Sequence, residues 1–319
     1  MIRRRFFLLV FLLILLPILF PAFSFSGETG PVYYSDRFIF RGKEVNDLVL
    51  VVLNFARGKE EEKYFGEFFG AVYAQNGWSF LEGNDKYFYR PGDLATIQPS
   101  YFAKVEGSSV SGFKLRYDGG DFTLAISSGP TEPFFTSDAG QTLQRSIHVA
   151  EAVLTLHGRE YWGKLIHEPV HWQGFNGLKR YKGLHKEYQA FYLTTEKGKE
   201  IYFHQNKADG AGFLKRHRLP ETLLPEGGLI RSGPGSTLTF KPPISVDTLN
   251  AIHPFFATYT LPQRWKVEAP SVGTFYIWSR ENASKNWLWG GYYLMAIEGI
   301  LKSETGEERV WGIAEYIPS

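Results

Sequence analysis

The feature that most restricts the fold of this chain is a pair of short segments, Phe113–Tyr117 and Phe122–Ile126, in which apolar and polar residues alternate. A turn sequence of the form Asp-Gly-Gly-Asp separates them. Alternation with a period of two puts one set of side chains on one face of a β-strand, so the two segments predict an antiparallel hairpin. Pairing Tyr117 with Phe122 places every apolar side chain of this hairpin on a single face.

Strand patterns continue along most of the chain. Leu48–Phe55 is rich in valine, Tyr64–Tyr73 is aromatic, and aromatic residues make up 17% of the sequence. Only Val246–His253 is compatible with a short helix after the N-terminal segment. The pattern predicts an all-β protein built from two adjacent β-domains, residues 27–158 and 159–319, each a sandwich or a barrel.

The N-terminus predicts export. Three arginines, Arg3–Arg5, precede the uncharged segment Phe6–Phe23, and the small residues Ser24 and Ser26 follow. This order is typical of a signal peptide, here residues 1–26, and indicates a periplasmic or secreted protein. The apolar run is also long enough for an uncleaved membrane anchor, which stays an alternative. Membrane contact is expected only through this segment.

Charge and composition restrict the partners. Cleavage after Ser26 would lower the Lys and Arg count from 35 to 32, against 33 acidic residues. A mature chain close to neutral, with no basic stripe, gives no electrostatic support to nucleic-acid binding. The sequence contains no cysteine, which excludes disulfides and thiol chemistry. We therefore expect no cofactor and an apolar small-molecule ligand, because aromatic side chains line cavities for such ligands.

The segment His167-Glu168-Pro-Val-His171 matches the H-E-x-x-H pattern of zinc proteases. That pattern binds zinc only on a helix, where the two histidines share one face. Pro169 lies inside the pattern, and a proline within a helix costs about 3 kcal/mol. The surrounding residues favour a strand, so no metal site is expected.

The same segment is the second half of a predicted hairpin that begins at His148. With a turn at residues 157–160, Leu156 would pair with Tyr161 and Ala150 with His167. His167 then lies on the apolar face and Glu168 points the opposite way. His167 is either a buried structural histidine or a polar group in a ligand cavity. A further hairpin over residues 185–206 is expected to supply its hydrogen-bond partner, with Glu187 or His204 the best candidates.

That hairpin is predicted to pair Leu193 with Tyr202 and Phe191 with His204. Its mixed face is either a solvated outer surface or the inside of a barrel with a few polar groups. The register requires a turn with an even number of residues. The candidate ligand-binding residues are His185, Glu187, Gln189, His204, Tyr188 and Trp172.

Five segments resemble the lipocalin-like carotenoid hydratase (hydroxyneurosporene synthase) and AttH family. They are Tyr161–Glu168, the aromatic hairpin Tyr188–Leu193 with Gly198–Phe203, Leu261–Pro270, Trp287–Tyr293 and Trp311–Ile317. They occur in the family's order over about half of the chain. The resemblance implies two lipocalin-like barrels, often with long apolar ligands, and it carries over His167 and Glu168 as site residues. Where hydratase members have an acidic residue before the histidine, this chain has Ile166, and Pro169 follows Glu168.

The sequence therefore predicts an exported lipocalin-like protein that binds a lipid or isoprenoid. The alternative is a hydratase or isomerase that acts on a double bond, with His167 or Glu168 as proton donor and a raised carboxyl pKa if Glu168 serves. A structural or adhesion domain of the cell envelope is a third interpretation.

Overall fold

In the computed structural model of this chain, the described residues form β-strands and the turns and bends between them. The described ranges are 30–44, 47–60, 63–75, 77–83, 86–88, 94–97, 99–138, 143–174, 188–206, 227–231, 237–240, 245–252, 261–269, 272–281, 287–288 and 292–317. Within these ranges no helix is long and apolar enough to cross a membrane. The predicted signal peptide lies outside them and stays a prediction. The all-β fold class is confirmed.

The first sheet contains eleven strands from the first half of the described chain, in the order β4-β3-β2-β1-β11-β10-β8-β7-β6 with β5 on β3 and β9 on β10. Its strands are β1 Val32–Glu44, β2 Asp47–Glu60, β3 Lys63–Ala74, β4 Gly77–Phe80, β5 Lys86–Phe88, β6 Ala103–Ser108, β7 Gly112–Gly119, β8 Phe122–Ser128, β9 Glu132–Asp138, β10 Leu143–Leu156 and β11 Arg159–Gln173.

The second sheet contains ten strands, in the order β15-β14-β13-β12-β21-β20-β18-β17-β16 with β19 on β20. Its strands are β12 Tyr188–Thr195, β13 Glu200–Asn206, β14 Gly227–Arg231, β15 Thr237–Phe240, β16 Ser245–Ile252, β17 Leu261–Ala269, β18 Gly273–Ser279, β19 Trp287–Leu288, β20 Tyr292–Ser303 and β21 Gly306–Ile317.

The two sheets repeat one topology. In each, the first strand pairs with the last, β1 with β11 and β12 with β21, and antiparallel strands extend outward on both sides. A Trp-Gly pair marks the same place in both closing strands. A Cβ on Gly163 would lie 2.2 Å from the Arg41 carbonyl oxygen, and one on Gly312 would lie 1.9 Å from that of Tyr192. Glycine therefore permits the close approach of the first and last strands in both sheets.

Side chains alternate between the two faces of each strand. The apolar side chains on the inner face of each sheet form a core. The core of the first sheet, called the first core, contains Phe38, Phe40, Val49, Val51, Leu53, Phe55, Phe68, Val72, Leu81, Ala103, Phe113, Leu115, Tyr117, Leu124, Ile126, Ala152, Leu154, Leu156, Tyr161 and Leu165. The second core contains Phe191, Leu193, Ile201, Phe203, Trp265, Val267, Ala269, Phe275, Ile277, Met295, Ile297, Leu301, Val310 and Ala314. Burial of each large apolar side chain contributes about 1.5–3 kcal/mol to folding.

A third apolar cluster contains residues from both sheets and is called the intersheet layer. Its members are Ile39, Leu48, Leu50, Val52, Tyr73, Ile147, Val149, Ile166, Ala190, Tyr192, Tyr202, Leu294, Ala296 and Ile313. Successive residues of a strand lie on opposite sides of the sheet. On β1, Phe40 lies in the first core and Ile39 lies in the intersheet layer. Both sides of the central strands are therefore buried, and these strands carry few exposed positions.

Two predicted hairpins have the expected faces but a register that differs by two residues. Leu115 pairs with Ile126 rather than Leu124. His148, not Ala150, is the partner of His167. Both turns are tighter than expected, because strand pairing continues up to two-residue turns. A shift of two preserves the side of the sheet on which each residue lies, so the apolar face of each hairpin is confirmed.

The third hairpin differs by one residue, which changes the faces. The last residues that pair between β12 and β13 are Thr194 and Glu200, with five residues between them, and Leu193 pairs with Ile201 rather than Tyr202. An odd shift moves the strand's side chains to the other side, so Tyr202 joins Tyr192 in the intersheet layer. The predicted mixed face is therefore wrong. The expected short helix near Val246 is also wrong, since Ser245–Ile252 is strand β16.

The sheet boundary differs from the expected division between residues 158 and 159. The turn at His157–Gly158 lies inside the first sheet, because β11 pairs with both β1 and β10. The change of sheet falls between Gln173 and Tyr188. The division into domains 27–158 and 159–319 stays a prediction about independent folding units.

Candidate functional site

His167 is buried on the inner face of β11, at the end of the first core. Its exposed fraction is 7%, and its ring stacks on Phe38 at a centroid distance of 4.7 Å and meets the edge of Phe113 at 4.6 Å. The Nε2 atom lies 2.7 Å from Oδ1 of Asp36 on β1. His167 faces inward with a hydrogen-bond partner, as predicted, and the partner that the structure describes is Asp36. The side chains of the predicted partners, Glu187 and His204, lie outside the described residues.

Each carboxylate oxygen of Asp36 has its own partner, His167 for one and Arg57 for the other. Arg57 Nη1 donates to its second oxygen at 2.7 Å. Burial works to raise the pKa of Asp36, but the hydrogen bonds from His167 and Arg57 and the charge of Arg57 work against burial, and that pKa is lowered. Asp36 is therefore a carboxylate at neutral pH.

Arg57 has its own set of acceptors. Its Nε donates to the Leu94 carbonyl at 2.6 Å, and its Nη2 donates to the Ala95 carbonyl at 2.8 Å. Its Nη1 also reaches the Phe55 carbonyl at 3.4 Å. With Asp36 on the same Nη1, this buried guanidinium is fixed in place by protein oxygens.

Two more histidines lie on the same face of the sheet, His148 next to His167 and His171 four residues further along β11. His148, the cross-strand partner of His167, has its ring 5.9 Å from that of His167 and its Nε2 2.9 Å from Ser146 Oγ. His171 stacks on Tyr34 at 4.1 Å. Burial lowers the pKa of both histidines, and the charge of Arg57 lowers that of His171 further. Asp36, Arg57, His148, His167 and His171 together are called the His167 cluster.

The His167 cluster includes several ring nitrogens without a partner. In the described part of the chain, His148 Nδ1, His167 Nδ1 and His171 Nε2 are buried and have no hydrogen-bond partner. A buried polar nitrogen left unpaired costs about 1–3 kcal/mol. An arrangement of this kind inside an apolar core suits a ligand or water that carries matching polar atoms.

Glu168 lies on the opposite face of β11, as predicted, and takes part in an ion-pair network in the intersheet layer. Arg145 Nε and Arg37 Nη2 bind its two oxygens, and Tyr192 donates to it at 2.9 Å. Burial would raise the pKa of Glu168, but the charges of Arg145 and Arg37 lower it to about 2. A proton donor at neutral pH needs the opposite shift, so this geometry favours a structural role for Glu168.

A second buried ion pair joins the sheets. Arg41 on β1 binds Glu200 on β13, which also accepts from Thr194 at 2.9 Å. Burial raises the pKa of Glu200 despite the opposing charge of Arg41. The intersheet layer therefore combines apolar side chains with buried ion pairs that join residues of the two sheets.

The other predicted ligand-binding residues do not join the His167 cluster in the described part of the chain. Trp172 is buried, but it follows His171 on the other face of β11 and stacks on Tyr33 at 5.2 Å. His185 and Glu187 lie outside the described residues, as do the side chains of Tyr188, Gln189 and His204.

The H-E-x-x-H pattern lies on a strand, as expected. His167 and His171 share one face about 13 Å apart along the strand, and Glu168 lies on the other face. Among the described residues no group of three or more His, Cys, Asp or Glu side chains could hold a metal ion.

Sequence reasoning missed Asp36 and Arg57, although each carries a signal. Asp36 precedes Phe38 and Phe40 at a spacing of two, and Arg57 follows Leu53 and Phe55 in the same way. A charge that continues the apolar face of a strand is either exposed at its end or buried with a partner. Because β1 pairs with both β2 and β11, Asp36 and Arg57 are brought together and are buried as partners.

Comparison with known proteins supports the fold. The sequence matches no protein-family model, and no curated protein matches it in sequence. A Nitrosomonas europaea structure assigned as AttH superposes with a TM-score of 0.61 at 12% identity, covering 93% of this chain and 98% of that one. Kievitone hydratase from Nectria haematococca superposes with a TM-score of 0.56 at 14% identity, covering 91% and 89%. This chain therefore has the lipocalin-like two-sheet fold of these AttH-domain proteins, as its sequence motifs predicted.

Proposed function

We propose that this protein is exported and binds an apolar small molecule of the lipid or isoprenoid class at the His167 cluster. One observation carries the proposal. A carboxylate-bound imidazole is buried at the end of an aromatic core, and one of its ring nitrogens has no partner among the described residues. Small-molecule sites combine apolar walls with a few placed polar groups in this way.

The fold supports the proposal. Barrel-like sheets of this type enclose a single small ligand in lipocalins. Export rests on the N-terminal pattern of Arg3–Arg5 and the apolar segment that follows it. N-terminal sequencing of protein from the producing organism should begin near Gly27, and recovery of Met1 in the membrane fraction would show an anchor instead.

Binding can be tested in two steps. Native mass spectrometry of protein purified from its own host should show a co-purified apolar molecule. Nile red, a neutral fluorescent probe, should then bind the emptied protein and be displaced by that molecule. His167→Ala should weaken probe binding while the circular dichroism spectrum stays unchanged.

The matched control is His157→Asn. His157 is exposed in a turn with φ of 49°, a conformation that asparagine tolerates. It should bind Nile red like the wild type. Equal binding by His167→Ala and the control would remove His167 from the site, and failure of wild-type protein to bind Nile red or any co-purified lipid would end the proposal.

The second candidate is a hydratase or isomerase that acts on an isolated double bond. The Asp36–His167 pair favours it, because a carboxylate that orients an imidazole is a common acid–base unit. One structural neighbour is a hydratase. In a hydration, a proton adds to one alkene carbon, water oxygen bonds to the other, and the proton lost from that water returns to the catalytic base.

Hydration can be tested with squalene in isotopically labelled water. A product heavier by one water molecule, formed by the wild type and lost in His167→Gln, would support this candidate. Because Glu168 is held by two arginines, we expect its replacement by glutamine to alter stability rather than the rate per folded molecule.

A further inference from the structure

Two neighbouring histidines at the end of the first core each present a nitrogen that has no hydrogen-bond partner among the described residues. His148 and His167 are paired across β10 and β11, and their ring centroids lie 5.9 Å apart. Among the described residues, the Nδ1 atom of each is buried and makes no hydrogen bond. An oxygen atom placed about 2.8 Å from both nitrogens would satisfy the two of them.

Asp36 determines what His167 can bind. A carboxylate only accepts hydrogen bonds, so the Nε2 atom that faces Asp36 must carry the hydrogen. In the neutral ring the Nδ1 atom then holds the lone pair and is an acceptor. It requires a donor, such as a hydroxyl hydrogen.

Ser146 leaves His148 free to take the complementary role. The Ser146 hydroxyl lies 2.9 Å from His148 Nε2 and can donate to it, which leaves a hydrogen on Nδ1. That N–H is a donor. One nitrogen that accepts and one that donates match a group that does both.

Arg57 is not available to bind an anion. Its nitrogens already donate to Asp36 and to the carbonyls of Phe55, Leu94 and Ala95. Asp36 also adds a negative charge beside His167. A fatty-acid carboxylate or a phosphate headgroup would meet this carboxylate, and the engaged Arg57 guanidinium would not offset the repulsion.

We propose that the ligand of this protein presents a hydroxyl group to His148 and His167, so that the site recognises a long-chain or isoprenoid alcohol and discriminates against the corresponding acid, ether and hydrocarbon. The hydroxyl donates to His167 Nδ1 and accepts from His148 Nδ1. This inference rests on the proposed function and adds the chemical class of the ligand.

The experiment measures displacement of Nile red from wild-type protein by four molecules that share one alkyl chain. They are myristyl alcohol, methyl myristyl ether, tetradecane and myristic acid. The alcohol should displace the probe at a concentration about tenfold lower than the ether and the hydrocarbon, the effect of one buried hydrogen bond. Myristic acid, ionised at neutral pH, should be weaker than the alcohol.

The outcomes separate this inference from the proposed function. Equal displacement by the alcohol, the ether and the hydrocarbon would leave the proposal of apolar binding intact but would overturn hydroxyl recognition. Water would then be the group that bridges the two rings. Strongest displacement by myristic acid would also overturn it. If Nile red and all four molecules fail to bind, the proposed function falls as well.

A variant tests the role of Asp36 as a positioning residue. In Asp36→Asn, the amide can donate to His167 Nε2, which moves the ring hydrogen to Nδ1 and makes that atom a donor. The alcohol and the ether should then bind about equally, because both supply an acceptor. Asp118→Asn, at an exposed position, should keep the wild-type preference. A retained preference in Asp36→Asn would overturn the assigned role, and should that variant not fold, the wild-type comparison decides alone.

Discussion

Arg37 on β1 donates through Nη1 to Glu315 on β21 at 2.5 Å, across 278 positions of sequence. The Glu315 side chain is fully buried, and that of Arg37 is 17% exposed. Arg37 also binds Glu168 and donates to the Tyr192 hydroxyl at 2.7 Å. The first strand of one sheet and the last strand of the other are therefore joined by charges that offset one another inside the intersheet layer.

Removal of one charged side chain from this network should lower the stability of the folded protein. Arg37→Leu should lower the free energy of unfolding by about 3–5 kcal/mol, because it removes a cation that binds two buried carboxylates, Glu168 and Glu315. Urea denaturation followed by tryptophan fluorescence measures the change. Arg159→Leu is the matched control, since its pair with Glu44 is about half exposed and solvent screens it. Equal effects of the two changes would show that the network does not hold the sheets together.

Glu168 should make stability depend on acid pH. Its pKa is about 2 in the folded protein against an ordinary 4.5, so folding resists its protonation. Its contribution is complete above pH 4.5 and is lost progressively as the pH falls toward 2. The difference in unfolding free energy between wild type and Glu168→Gln should therefore narrow on acidification. Urea titrations at several pH values test this, and Glu106→Gln, an exposed position, should show no such trend.

The Tyr192 hydroxyl is a shared contact in the same network. It donates to Glu168 at 2.9 Å and accepts from Arg37 at 2.7 Å and Arg145 at 3.3 Å. Tyr192→Phe keeps the ring but removes these bonds, so we expect a loss of about 1–3 kcal/mol of unfolding free energy. Tyr101→Phe, at a side chain that is 93% exposed, should change stability by less than about 0.5 kcal/mol. Thermal unfolding would compare the two, and a neutral Tyr192→Phe would contradict the geometry.

Gly163 should not tolerate a side chain. A Cβ there would meet the Arg41 carbonyl oxygen at 2.2 Å and push β1 away from β11. Gly163→Ala should cost about 1–3 kcal/mol through this overlap. The same change at Gly129, where a Cβ would meet nothing within 4 Å, should be nearly neutral. Hydrogen exchange of the β1 amides should be faster in Gly163→Ala than in Gly129→Ala. This comparison tests whether the loss of stability is local to the pair of β1 and β11.

Strand positions and faces could be predicted from the sequence, but the register could not. The alternation around Leu115 and around Leu154 puts both residues in the first core, as expected. Turn length sets the register, and each turn allowed several lengths. The five-residue turn after Thr194 reversed the predicted face of Tyr202, because an odd count of turn residues moves the strand by one position.

The candidate site was predicted in part. The inward position of His167 follows from alternation along β11, which is a local property. Its partner Asp36 is 131 positions away, and the network around Glu168 depends on how two sheets pack. Neither relationship leaves a local pattern in the sequence, since both arise from pairing between distant segments.

The pairing of first with last strands has a consequence for the order of synthesis. β1 cannot complete its hydrogen bonds until β11 has left the ribosome, and the contact from Arg37 to Glu315 waits for nearly the whole chain. Closure of such long loops is slow because the chain entropy is lost before the contacts form. A growing polypeptide of this topology therefore cannot close its first sheet before Gln173 has been synthesised, or pair the first strand of its second sheet with the last before Ile317 has been synthesised.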